Sequence, residues 1–255
     1  MYRVAIVDDE PIITDGLARG VAWEKWNCTV CGTAFDGREG IQLVNEKQPD
    51  ILITDISMPG VNGLMMIAAL KSEHPDMQIT ILTGYREFDY AQEAIRLGVS
   101  RFLLKPSRMN ELEEAVEFMT GELQKAGISP DKPREEDGDV LYDTAAGSFI
   151  VSNAMNYIRE HYADRLRLGD VAEQIFVSQW HLSKLLNKHT GQNFSEILNG
   201  IRIAKAKELM MNPALRISDI AEMVGFLDVA HFSRVFKKAE GVSANEYRNA
   251  HCGKS

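Results

Sequence analysis

The sequence predicts an α/β domain built on a doubly wound, five-stranded parallel sheet, followed by an all-α domain with two copies of one helical unit joined by a linking helix. Three features carry this. Short apolar runs alternate with amphipathic stretches through residues 1–125. A Pro/Gly-rich acidic stretch interrupts that rhythm, and short motifs of the last hundred or so residues recur at a nearly constant offset. At roughly 100–200 residues per domain, 255 residues suit two domains. We place them at 1–125 and 148–250, with an acidic flexible linker at 126–147.

The first strand is Val4-Ala5-Ile6-Val7, followed by Val30 to Phe35, Ile51-Leu52-Ile53-Thr54, Ile79-Thr80-Ile81-Leu82 and Phe102-Leu103-Leu104. None alternates with polar residues, so each reads as a strand covered on both faces. The intervening stretches have helical spacing, as at Tyr90, Ala91, Ala94, Ile95 and Leu97, and a last helix spans about Met109 to Leu123. Strand–helix alternation implies a parallel sheet with helices on both faces. The linker, with Pro130, Pro133, Gly127, Gly138 and many carboxylates, cannot bury a core.

In the helical part, Asp170-Val171-Ala172-Glu173 recurs as Asp219-Ile220-Ala221-Glu222 at an offset of 49. Ser183-Lys184-Leu185-Leu186 recurs as Ser233-Arg234-Val235-Phe236 at an offset of 50, with Lys188 and Gly191 matching Lys238 and Gly241. The extra residue falls between the matching blocks, where a turn absorbs it. Phe194 to Met211 reads as one helix facing both units through Ile197, Leu198, Ile201, Ala204, Leu209 and Met210.

Apolar residues make up 45% and charged residues 25%, which excludes collagen-like, low-complexity and wholly disordered classes. No stretch approaches the roughly 18 apolar residues that span a bilayer. Carboxylates at Asp8 and Asp9 come too early for a secretory leader, so a cytoplasmic protein away from membranes is expected. Three cysteines form no disulfide framework, and Cys28-Thr29-Val30-Cys31 is read as small apolar residues on or beside a strand. The net charge of −9 conceals a division: −8 over residues 1–125, −4 over 126–147 and +3 over 148–255. Two parts with different partners follow from it.

Asp8 and Asp9 follow the first strand, Asp55 ends the third, Thr83 the fourth and Lys105 the fifth. Ligands of open parallel sheets bind beyond the carboxyl ends of the strands, so these side chains converge on one edge. Each alone has a structural explanation, such as Asp9 capping a helix before Pro11 or Thr83-Gly84 forming a turn. Together they describe a site. Three close carboxylates must hold a proton or a cation. Hard oxygen donors suit Mg²⁺, Lys105 suits phosphate, and a carboxylate can itself form an aspartyl phosphate.

Residues 2–124 resemble the receiver domain of two-component response regulators. The resemblance rests on Val4-Ala5-Ile6-Val7-Asp8-Asp9-Glu10, Asp55-Ile56-Ser57-Met58-Pro59-Gly60-Val61-Asn62-Gly63, Leu82-Thr83-Gly84-Tyr85 and Phe102-Leu103-Leu104-Lys105-Pro106. It implies a flavodoxin-like sheet, with Asp55 accepting phosphoryl from a sensor histidine kinase. It also implies Mg²⁺ on Asp8, Asp9, Asp55 and the Ser57 carbonyl, Lys105 on the phosphoryl group, Thr83 and Phe102 as the switch pair, and a cis Lys105-Pro106 bond. The phosphate adds about −1.5 to −2 charges and so biases a two-state element, expected at the fourth helix and fifth strand.

In the back half, Leu168, Val171, Ala172 and Ile175, then a turn at Phe176-Val177-Ser178, then Leu182, Leu185 and Leu186 form a helix-turn-helix pattern with Ser178 as N-cap. The solvent side of its second helix is read as Gln179, Trp180, His181, Ser183, Lys184, Asn187 and Lys188. In the second copy Asp228 caps a helix showing Val229, Ala230, His231, Ser233, Arg234, Lys237 and Lys238. Two such helices on one face suit successive major grooves about 34 Å apart. Ser152 to Arg248 resembles the AraC-type DNA-binding domain through Ile201-Arg202-Ile203-Ala204-Lys205-Ala206-Lys207-Glu208-Leu209, Ile220-Ala221-Glu222-Met223-Val224-Gly225-Phe226 and His231-Phe232-Ser233-Arg234-Val235-Phe236-Lys237-Lys238. The resemblance implies base contacts at Trp180, Ser183 and Lys184 and at Val229, His231, Ser233 and Arg234. Leu227-Asp228-Val229-Ala230 departs from the family's more polar run, which leaves thymine-methyl contact or shape readout at that point.

The expected function is a transcriptional regulator whose grip on double-stranded DNA depends on phosphorylation. It is not an enzyme beyond gaining and losing its own phosphate. Phosphorylation either releases the helical half from the acidic receiver or pairs two chains as a homodimer. The competing readings are an aspartate-nucleophile phosphatase and a phospho-regulated protein-binding adaptor. Such phosphatases usually carry Asp-x-Asp on the first strand, whereas here the pair is adjacent and the nucleophile lies on the third.

Overall fold

The computed structural model describes residues 1–59, 63–84, 88–130 and 145–252. Residues Gly60, Val61, Asn62 and Tyr85 of the receiver motifs and 131–144 of the expected linker lie outside the described residues. Packing divides the chain into two units, Met1–Ile150 and Val151–Ser255.

In the first unit, β1 (Tyr2–Val7), α1 (Pro11–Gly20), β2 (Cys28–Ala34), α2 (Gly37–Lys47), β3 (Ile51–Thr54), α3 (Gly63–Glu73), β4 (Gln78–Thr83), α4 (Phe88–Arg96), β5 (Arg101–Leu104) and α5 (Met109–Lys125) follow in order. All four strand pairings are parallel, in the order β2-β1-β3-β4-β5. The chain changes direction across the sheet between β1 and β3, which opens a crevice at their carboxyl ends.

On one face, Tyr2, Val4, Ile6, Ile51 and Ile53 pack with Leu17 of α1 and with Leu112, Val116, Met119 and Leu123 of α5. Burying each such side chain contributes about 1.5–3 kcal/mol. On the other, a Cβ at Gly40 of α2 would lie 2.9 Å from Val7, so helix and strand approach closely there. Pro11 opens α1, where its missing N–H costs nothing. Asp36 caps α2 by accepting from Arg38 and Glu39 N–H. At the far end of α3, the Lys71 ammonium donates to the Pro75 and Met77 carbonyls and closes the turn into β4.

β2 begins two residues before Val30, and Cys28 and Cys31 are free thiols on it. Burial pushes the Cys28 thiol up to about 11, which keeps it protonated and unreactive. Ile95 does not join the buried face of α4. It is exposed, while Ala94 and Leu97 turn inward, because one position is a 100° step around a helix.

The second unit is helical: α6 (Ala145–Glu160, whose first turn and a half belongs to the first unit), α7 (Leu168–Gln174), α8 (Gln179–Thr190), α9 (Phe194–Met210), α10 (Ile217–Met223), α11 (Val229–Glu240) and α12 (Ala244–Cys252). The repeat is structural. α7 and α10, and α8 and α11, have equal lengths, and α8 and α11 both end at a left-handed glycine, Gly191 and Gly241. The joining helix is α9, but its buried face differs from the expected one. Arg202, Ile203 and Ala206 are buried with Ile197, Leu198 and Met210, whereas Ala204 is exposed and Ile201 and Leu209 are half-buried. Ile203, Ala206 and Met210 close over Ile220, Ala221, Val224, Phe226, Phe232 and Phe236.

Candidate functional site

The strand ends deliver the acidic site. Asp8 follows β1, Asp55 follows β3, Thr83 ends β4 and Lys105 follows β5. Asp8, Asp9 and Asp55 each present a carboxylate oxygen within 4.8 Å of the others. The Lys105 Nζ lies 2.7 Å from Asp8 Oδ2 and 2.8 Å from Asp55 Oδ2. Asp55 Oδ1 accepts from the N–H groups of Ile56, at 2.6 Å, and Ser57, at 3.0 Å. Thr83 also hydrogen-bonds Asp55. The Lys105-Pro106 bond is cis. Phe102 is half-buried on β5, paired with Ile81 of β4, two strand positions before the Thr83–Leu104 pair.

A glycine holds the loop after Asp55 in place. A Cβ at Gly63 would stand 2.6 Å from the Ile56 carbonyl oxygen, so only glycine lets α3 start against the turn that aims the two N–H groups.

The two carboxylates differ. Burial pushes Asp55 up, but hydrogen bonds from Lys105, the Ser57 N–H and Thr83 outweigh it and hold the group below its ordinary value. Burial likewise pushes Asp8 up, and there it prevails over Lys105 and the Glu10 N–H. Lys105, despite burial, is held well above the ordinary lysine range by Asp55 and Asp8. Asp55 is therefore a stable anion with hydrogen-bond donors around it, beside a second acid that favours a cation. The donor set is all oxygen, with three carboxylates against one ammonium, and this fits a hard divalent cation. Glu10 is an addition the motif reading missed: its Oε1 lies 3.3 Å from Lys105 Nζ. Three consecutive acidic residues were the available signal.

In the helical unit, Ser178 and Asp228 cap α8 and α11 as expected, Ser178 accepting from His181 N–H and Asp228 from Ala230 and His231 N–H. Trp180, Ser183, Lys184 and Lys188 are exposed on α8. Lys184 Nζ lies 5.3 Å from the Trp180 ring centre, so the two present one cationic, flat surface. His181 is corrected: only 5% of it is exposed, because it sits one turn from Leu185 on the inner face, and burial holds its imidazole below the usual range. Val229, His231, Ser233, Arg234, Lys237 and Lys238 are exposed on α11. Ser233 Oγ donates to the Val229 carbonyl at 2.8 Å, and the His231 ring stands edge-on to Phe226. Apart from His181, the side chains named for the outer faces of α8 and α11 are exposed.

The turns within the two units match. Phe176 and Gly225 occupy equivalent left-handed positions, with φ of 60° and 87°. The next N–H returns to an alanine carbonyl in each, Val177 to Ala172 and Phe226 to Ala221. The residue without a counterpart is Leu227, which is 76% exposed.

The chain matches the response regulator receiver domain over residues 4–117 and a helix-turn-helix domain over residues 171–250. A response regulatory protein of Staphylococcus epidermidis is 32% identical over 255 residues, covering 97% of this chain and 98% of its own. The transcriptional regulatory protein HptR of Staphylococcus aureus is 29% identical, covering 97% and 98%. Among solved structures, the REC domain of AraT, a response regulator from Geobacillus stearothermophilus, is 37% identical, covers 49% of this chain and 98% of that chain, and has a TM-score of 0.47.

Proposed function

The chain belongs to the response regulators that join a receiver domain to an AraC-type helix-turn-helix domain, and from that membership we infer that Asp55 is the phosphoryl acceptor that controls DNA binding by α8 and α11. The carrying observation is the lysine clamp: Lys105 Nζ within 2.8 Å of both Asp8 and Asp55.

In this reading, an Asp55 carboxylate oxygen attacks the phosphorus of a phosphohistidine on a sensor kinase. The O–P bond forms as the P–N bond breaks, and the imidazole leaves. Asp8, Asp9, Asp55 and the Ser57 carbonyl would hold Mg²⁺, which when bound offsets charge on the phosphoryl oxygens. Lys105 exchanges a carboxylate partner for a phosphoryl oxygen. Thr83 gives up its bond to the Asp55 carboxylate and donates to the phosphate, and the space it leaves admits Phe102. The local change is electrostatic, and the element it biases is β4–α4–β5. The chain performs no other chemistry than gaining and losing this phosphate.

The helical domain reads double-stranded DNA. Lys184, Lys188, Arg234, Lys237 and Lys238 supply phosphate and base-edge contacts, Trp180, Ser183, His231 and Ser233 add polar and flat contacts, and Val229 offers an apolar one. Phosphorylated chains pair as homodimers, and the protein works in the cytoplasm. Among the described residues, no helix is long and apolar enough to cross a membrane.

The test is phosphate incorporation from acetyl phosphate with Mg²⁺. Wild type is expected to gain one acid-labile phosphate and Asp55→Asn none. Full labelling of the variant would remove Asp55 from the role.

A further inference from the structure

Arg202 lies on the buried face of α9, one turn from Leu198 and one from Ala206, both of which are buried. Only 9% of it is exposed. Its Nε donates to the Tyr162 carbonyl at 2.7 Å and its Nη2 to the Asp164 carbonyl at 2.9 Å. Both carbonyls belong to the connector between α6 and α7, which leads into the first helix-turn-helix. The same guanidinium lies 5.4 Å from the ring centre of Phe226, in the turn of the second. Gly225, in that turn, adopts a φ of 87°, and a Cβ there would stand 2.6 Å from the Ala163 carbonyl oxygen and 2.9 Å from Arg202 Nη2. Connector, linking helix and second turn therefore meet at one side chain, with no space for even a methyl group.

A buried guanidinium is a costly way to fill a core, since an apolar side chain of similar volume is often neutral or stabilising there. What it supplies instead is direction. Its planar fork holds two backbone carbonyls at a fixed angle, which a flexible apolar contact does not. The pair it orients is the pair of recognition helices, because α8 follows the connector through α7 and α11 follows the turn directly. A reader of two major grooves needs its helices held at about one helical repeat, 34–36 Å.

We propose that Arg202 is a positioning residue that fixes the relative placement of α8 and α11, so that the chain accepts two half-sites at a single spacing. This rests on the DNA-reading function proposed above. It makes Arg202 a determinant of operator geometry without touching DNA.

The experiment selects DNA from a random pool with the full-length wild-type chain, then measures affinity for that duplex and for versions with one base pair inserted or removed between the half-sites. Wild type is expected to lose at least tenfold with either change. Arg202→Ala is expected to bind the selected duplex at least tenfold more weakly and the altered duplexes about as wild type does, so that the spacing preference collapses. A variant that weakens on all three duplexes by one common factor, or keeps the preference, overturns the proposal. Arg202→Lys, which keeps the charge and one donor direction, should restore part of the preference. It carries the same contrast if the alanine variant has lost its helical circular dichroism. Failure of wild type to select any DNA would instead overturn the DNA-reading function, and the proposal with it.

Discussion

Lys105 is the residue on which the acidic site turns. Its ammonium faces Asp8, Asp55 and Glu10 at 2.7, 2.8 and 3.3 Å, so one positive charge serves three carboxylates. Even so, burial outweighs Lys105 and the Glu10 N–H at Asp8 and raises it above its ordinary value of 3.8. A group whose folded value is raised binds extra protons when folded, so its contribution to stability falls as pH climbs from about 4 through the raised value. Asp8→Asn is therefore expected to raise the melting temperature of the metal-free protein by a few degrees at pH 7, with the gain shrinking toward pH 4. The same variant should lose the stabilisation that Mg²⁺ gives wild type. A lower melting temperature at neutral pH would contradict this assignment of charge. Asp8, Asp9, Asp55, Thr83 and Lys105 were legible from sequence because a strand end fixes where a side chain goes. Glu10 and Arg202 were not: their roles depend on side-chain direction across elements, which periodicity does not encode.

Among the elements, the repeat explains most of the helical domain. The recurring Asp170 and Asp219 are capping residues: each carboxylate accepts from an N–H three residues earlier, on Arg167 and Arg216. The recurring glycines are left-handed C-caps. The change of offset is Leu227, inserted between an otherwise conserved turn and the Asp228 cap. Conformation and caps were thus readable in the motifs. The buried face of α9 was not, because apolar periodicity passes over a buried arginine. Asp228→Ala should destabilise the chain by about 1 kcal/mol by denaturant unfolding, since it removes the acceptor for two N–H groups of α11. Loss below a few tenths would show the cap to be dispensable. On α8 and α11, Lys184→Ala and Arg234→Ala should each weaken binding to the selected duplex by about 1–3 kcal/mol where the contact is to a base edge. Unchanged footprints in both variants would reject those assignments.

At the scale of the whole chain, an acidic receiver precedes a mildly basic DNA reader, with net charges of −8 over residues 1–125 and +3 over residues 148–255. The small positive charge leaves much of the affinity to base contacts and groove fit, so binding should respond strongly to anything that presents two copies at once. Light scattering with a phosphoryl mimic and Mg²⁺ is expected to register twice the mass of the chain, and an unchanged mass would favour release of the helical half instead. The central claim joins the two halves: a phosphate on Asp55 alters the grip of α8 and α11. Fluorescence anisotropy on the selected duplex, with and without acetyl phosphate and Mg²⁺, tests it most directly. Wild type should gain at least tenfold in affinity, about 1.4 kcal/mol, and Asp55→Asn should gain nothing. Superimposable wild-type curves, with phosphate incorporation verified, would contradict the account.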